Sequence, residues 1–476
     1  MNKLLSIIAV LIFFQPVWAQ SQERVLWSLE DCINYGLKNS LSLEQAQLAE
    51  EHADISLRQA QHQRFPNLSA SSSLSYSVGR SIDPTTNDFI STDFISNGVS
   101  LSSGVTLFDG LRLSNNIKKS KLDRKASVED TRQWQRDVAM NIATVYMSIL
   151  FATENLENAQ NQMRGTQDQL DKMNKLIVAG ARPGSDKYDI EAQLALDEQN
   201  IVRLQNDLEK AYLDLKNVIR YKENSEIRVS VPNIEGLELT DPEQWKMEEL
   251  YISSMNHQPS ILAGEIRYKS AKYDESIAKG SYYPSLRIGG SVSTNYSDQA
   301  REITDYNTVL SNQTVYLDNN PVVIGFETDV PIFGNIPYLN QMNDNFGFGA
   351  GLQLSIPIYS NYQNKANVSR AKLNTKNVEL SNELDKQQLK SSINMALSNA
   401  KAAKKQLAAA RKSVEAFQIA FGNAEKRYEL GQIGSYEYLD LKNRLDNAKT
   451  TLLIARYDFI FSLKVIDFYI GLPLNF

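Results

Sequence analysis

The sequence predicts a mixed α and β membrane protein built from two tandem structural repeats. Three observations carry that reading. The chain is written twice: residues 98–194 lie without a gap on residues 349–445, with Leu101 on Leu352, Val105 on Ile356, Gly180 on Gly431 and Leu194 on Leu445. Upstream, Trp27 falls on Trp245, Pro66 on Pro284 and Leu68 on Leu286, so the surplus of the second copy lies near residues 298–345. A repeat of this length points to a duplicated structural unit. Four segments alternate apolar and small polar residues, the period of a strand with two unlike faces. Two proline-free stretches carry an apolar seam at coiled-coil spacing, longer than a globular domain needs.

Residues 1–19 read as a secretory signal: Lys3, an apolar run over 4–14, and Ala19 as the small residue at the cut. The run is too short for a spanning helix. The first repeat then occupies 20–244 and the second 245–476. A helix over about 28–64 leads to Pro66, which opens extended backbone. After it, Leu68, Ala70, Leu74, Tyr76 and Val78 alternate with Asn67, Ser69, Ser71, Ser73, Ser75 and Ser77. Strands are expected at about 66–78 and 98–109, and in the second copy at 284–296 and 346–359. Each has the length a tilted strand needs to cross a bilayer. The connection over 297–345 reads as a long polar loop. Four strands cannot close a barrel, which takes at least about eight, and open edges cannot face lipid. Membrane-spanning strands of this number therefore require an oligomer.

Long helices are expected at about 114–179 and 364–430. Val138, Ile142, Val145, Ile149, Ala152, Leu156 and Ala159 form the first seam; Leu389, Ile393, Ala396, Ala400, Ala403, Leu407 and Ala410 form the second. At about 1.5 Å per residue the first would be roughly 100 Å long. Return helices follow at about 185–221 and 435–470. A helix over 247–281 mirrors the one at 28–64.

The formal charge is −6 with scattered Lys and Arg, which excludes a nucleic-acid partner. The one cysteine, Cys32, excludes a disulfide framework, and His52, His62 and His257 have no metal-ligand spacing. No phosphate loop, nucleophile elbow or His-Glu motif occurs, so neither an enzyme nor a cofactor or metal site is expected.

At the far turns, Asp186 and Asp189 follow Gly180, and Glu437 and Asp440 follow Gly431 at the same distances. Residues three apart on a helix share a face. Acids in a first turn also complement the helix dipole, with Ser185 and Ser435 as natural N-caps. Glycine at the turns suits a left-handed C-cap.

Residues 428–474, beginning YELGQIGSYEYLDLK, and residues 27–77, beginning WSLEDCINYGLKNS, resemble the closing and opening segments of the TolC-type outer-membrane efflux proteins. The resemblance covers essentially the whole mature chain. It implies a homotrimer whose protomers give four strands each to one trimeric 12-stranded β-barrel in outer-membrane lipid, continuous with a periplasmic α-helical barrel. It further implies a channel of a tripartite efflux or type I secretion system, working with a periplasmic adaptor (membrane fusion) protein and an inner-membrane pump. Glu437 and Asp440 match acidic positions that ring the periplasmic aperture, Asp186 matches a position that ties the closed tip together, and Asp189 is placed with these three at the aperture gate. Ala179, Gly180, Ala181, Leu430, Gly431 and Gln432 match the hairpin tips that meet the adaptor. A surface-anchored trimeric coiled-coil adhesin is the alternative. Its solid seam would need large residues where this chain has Ala396, Ala400, Ala403 and Ala410.

Overall fold

The computed structural model describes residues 26–82, 87, 89–90, 93–222, 226–232, 240–318 and 320–472; the expected signal segment lies outside them. In chain order the elements are β1 (Leu26–Trp27), α1 (Leu29–Asn39), α2 (Leu41–His62), β2 (Asn67–Ser77), β3 (Ser81–Ile82), β4 (Phe89–Ile90), β5 (Phe94–Phe108), α3 (Arg112–Val178), α4 (Asp186–Val218), β6 (Arg228–Val229), α5 (Met247–His257), α6 (Pro259–Gly280), β7 (Ser285–Ser297), β8 (Arg301–Leu317), β9 (Asn320–Asn335), α7 (Tyr338–Asp344), β10 (Gly347–Ser355), α8 (Gln363–Glu429) and α9 (Ser435–Ile470). They fall into two compact units, and each unit takes segments from both halves of the chain. Among the described residues no helix is long and apolar enough to cross a membrane.

One unit contains residues Leu48–Glu129 and Ile261–Asp385. Its centre is a four-stranded antiparallel sheet in the order β10-β7-β5-β2. The register puts unlike residues on its two faces. Ser71, Ser100, Ser293 and Gly347 form one row, and Ser69, Ser102, Ser291 and Gly349 the next. Hydroxyls bridge Ser69 to Ser102 and Ser71 to Ser100 at 2.8 Å. The opposite face carries rows such as Ala70, Leu101, Val292 and Phe348. Most of the apolar face is bare, Leu74 being 76% exposed and Phe348 86%; only its end is covered, by α7, whose Tyr338 meets the Tyr296 ring at 4.9 Å. The edges, β2 and β10, each present a row of backbone donors and acceptors.

Four expectations need correction. The segment 297–345 is not a polar loop. It forms a ribbon of β8 and β9, paired from Arg301 with Asn335 to Leu317 with Asn320, followed by α7. Asp318 turns the ribbon at φ 47°, a left-handed conformation that Asp tolerates. The helix expected over 28–64 breaks at Ser40, whose backbone is extended and whose Oγ accepts from the Leu43 N–H at 3.3 Å, capping the next helix. The helix expected over 247–281 breaks at Gln258, because Pro259 disfavours helical backbone in the residue before it while suiting the first turn of a new helix. The last strand also stops at Ser355, short of Pro357.

The other unit holds Asp130–Ser260, the segment up to Gln47, and the chain from Lys386 onward. Its largest core gathers Cys32, Ile142, Tyr146, Ile149, Leu150, Leu215, Ile219 and Ile460. Ser28 and Asp31 cap α1 reciprocally. β1 and β6 pair in parallel beside it, and the Tyr146 hydroxyl donates to the Ser230 carbonyl at 2.6 Å. The two 67-residue helices α3 and α8 bury their seams: Ile149 and Ala400 have no exposed surface.

Candidate functional site

The expected site residues meet at one end of this second unit, where α3 turns into α4 and α8 into α9. Both turns are the same Schellman motif. Gly180 N–H donates to the Ile177 carbonyl at 3.0 Å and Ala181 N–H to Leu176 at 2.9 Å; Gly431 N–H donates to Tyr428 at 3.0 Å and Gln432 N–H to Arg427 at 2.8 Å. Gly180 and Gly431 both sit at φ 72°, where a side chain is strained. Space is not the reason for glycine: a Cβ on Gly180 would meet nothing. Beside them, Val178 and Leu430 leave apolar side chains exposed.

The two tips share a core of Leu170, Met173, Ile190, Ala424, Tyr428, Ile433, Tyr438 and Leu439. The Tyr428 and Tyr438 rings stack at 4.7 Å. Burial pushes the phenols of both above their usual range.

Each acidic candidate has a partner in its own chain. Asp189 accepts from the Ser435 hydroxyl at 2.6 Å, joining α4 to α9. Asp186 lies 3.9 Å from Arg182. Glu437 pairs with Arg427 at 3.3 Å, and Asp440 with Arg444 at 2.9 Å. A second polar bridge runs from the Asn443 amide to Gln193 at 3.1 Å. The two serines are not side-chain caps. Gly434 takes the N-cap of α9, which frees Ser435 for Asp189; Ser185 sits in helical backbone that cannot aim its oxygen at the first turn.

Sequence reasoning missed Arg182. Its guanidinium lies 4.8 Å over the Tyr428 ring and donates to the Tyr428 carbonyl. A signal existed: in the aligned copy its place is taken by Ile433, a buried apolar residue, so Arg182 breaks the repeat. Among the described residues no group of acids, histidines and cysteine could hold a metal ion.

The four strands of the sheet have open edges, a largely bare apolar face and the length of membrane-crossing strands. The family model described as "Outer membrane efflux protein" matches residues 33–219 and 250–471. The chain belongs to that family of outer-membrane efflux channels, and its location is the outer membrane. Outer membrane protein TolC of Salmonella enteritidis is 24% identical over 344 residues, covering 71% of this chain and 61% of TolC. The match thus spans less than two thirds of that relative. The probable outer membrane lipoprotein SilC of Salmonella typhimurium is 22% identical over 431 residues, covering 89% of this chain and 81% of SilC. The fold matches that of CusC with a TM-score of 0.75 at 17% identity, covering 94% of this chain and 92% of that one. It matches the MtrE outer membrane channel of Neisseria gonorrhoeae with a TM-score of 0.71 at 18% identity, covering 94% and 89%.

Proposed function

We propose that three copies of this chain pool their strands into one 12-stranded barrel and their helices into one hollow tube, forming the exit duct of a tripartite efflux or type I secretion assembly. The two tandem repeats supply one hairpin of the sheet each. The observation that carries this reading is the sheet itself. Both of its edges are open and most of its apolar face is bare. In lipid each unpaired backbone group costs several kcal/mol, and only pairing with another copy at both edges removes that cost. The serine and glycine face then lines the water-filled interior and the apolar face meets lipid.

At the far end, Glu437, Asp440, Asp186 and Asp189 form the aperture; Asp189 also joins the two tips of a protomer through Ser435, while Asp186 pairs with Arg182 of its own tip. The exposed tip residues Ala179, Gly180, Ala181, Leu430, Gly431 and Gln432 receive the periplasmic adaptor, which links the duct to an inner-membrane pump. Arg427 and Arg444 offset part of the acidic charge, so the ring is cation-attracting but not a bare cluster of carboxylates. Single-channel recording of Glu437→Gln/Asp440→Asn tests the aperture: selectivity for cations falls on this reading. Wild-type selectivity and wild-type block by divalent cations would remove these two residues from it. Gly431→Trp tests the tips. It should abolish adaptor-dependent efflux while the trimer persists, and an efflux-competent variant would place docking elsewhere.

A further inference from the structure

Among the described residues neither face of the ribbon of β8 and β9 is covered, and one of the two is apolar without charge over most of its length. Cross-strand pairs share a face, so Val309, Val315, Val322, Ile324, Phe326 and Val330 stand together, interspersed with Asn307, Ser311, Gln313 and Thr328; over this stretch the face carries no charge, and its first charged residue is Asp305, nearer the base. The opposite face is mixed: Tyr306, Leu310, Tyr316 and Val323 share it with Glu327 and Asp329. All six apolar residues are exposed, Phe326 to 43%. An isolated two-stranded ribbon is marginally stable in water, and this one needs a covering surface.

Its base is fixed. Gln341, 2% exposed, accepts from the Ser297 N–H and donates to the Ser297 and Ile336 carbonyls, each at 2.9 Å. Asp298 closes the same junction by exchanging bonds with Ile95. The ribbon therefore projects from the end of the sheet opposite the helices as a rigid extension, not a slack loop. Lipid is not the occupant, because β7 with 13 residues already has the length to span a bilayer. The size of the face decides between the remaining two. At about 3.3 Å per residue and about 4.8 Å between strands, it offers roughly 300 Å². A separate protein needs about 800 Å² per partner for a stable complex. Copies already joined through their strands need no such minimum.

We propose that this face packs on the same face of the other two copies, so that three ribbons close together over the outer mouth of the duct. The proposal rests on the three-copy reading above. It is tested with Ile324→Cys and Val323→Cys, neighbours on opposite faces of β9, in the full chain. Cys32 is fully buried and does not compete. Oxidation with copper phenanthroline in isolated outer membranes should give disulfide-linked dimers for Ile324→Cys and none for Val323→Cys. As a second arm, replacing residues 301–335 with a short Gly-Ser link should leave the trimer intact and raise single-channel conductance at least twofold. A trimer in which Ile324→Cys does not cross-link, cross-links to a different protein, or cross-links no better than Val323→Cys overturns the ribbon contact. Unchanged conductance after ribbon removal overturns the closure. A monomeric protein in detergent would overturn the three-copy reading and the ribbon contact with it.

Discussion

Arg182 is the residue on which the junction of the two tips depends most. It joins one turn to the other through the Tyr428 ring and carbonyl, and a hydrogen bond from a charged group is worth about 1.5–3 kcal/mol. Arg182→Ala should let the tips separate, and single-channel records of that variant should show a larger mean conductance than wild type. Arg182→Lys should fall between, since lysine keeps the charge but lacks the planar fork. Equal conductance in all three would mean that this contact does not hold the entrance. The acidic candidates at the tips were legible as a pattern, but their partners were not. Asp189 and Ser435 stand 246 positions apart, as do Arg182 and Tyr428, and spacing along one helix carries no information across that separation. Cys32 gives a second residue-scale test. Burial, helped by the nearby Asp31 charge, pushes its thiol up to about 12. With no exposed surface the thiol is also closed to reagent, so maleimide should label the folded protein slowly at neutral pH and denaturant should speed the labelling. Rapid labelling at neutral pH without denaturant would contradict the burial of α1 in its core.

At the scale of elements, the seams of α3 and α8 were readable because their apolar residues recur without a proline to interrupt them. Ala400 has no exposed surface, and its small size lets neighbouring backbones approach. Ala400→Leu adds volume where none is free, a change that costs about 1–3 kcal/mol. Thermal unfolding followed by circular dichroism should show a lower midpoint; an unchanged midpoint would mean the seam is loosely packed there. Other elements were less legible for different reasons. The break before Pro259 had a plain signal in the proline. The break at Ser40 has none, because a serine inside a helical pattern is ordinary and only its cap on Leu43 marks a boundary. The ribbon was concealed by composition. Its many Asn, Thr and Asp residues read as loop, while the alternation of Val322, Ile324 and Phe326 with Val323, Gly325 and Glu327 is a strand pattern with one apolar face.

At the scale of the whole molecule, the central sheet is incomplete in a single chain. It has four strands with two open edges and faces of opposite character, and most of its apolar face is bare among the described residues. The period-two alternation made the two faces legible in sequence, and strand number alone required an oligomer. The size of that oligomer was not legible from spacing and came from the family resemblance. Closure through other copies explains the bare apolar face, the serine and glycine face and the open edges together. The most direct measurement is the native mass of the detergent-solubilised protein. The account predicts a single species of three chains. A monodisperse single chain, stable in water once detergent is withdrawn, would contradict it.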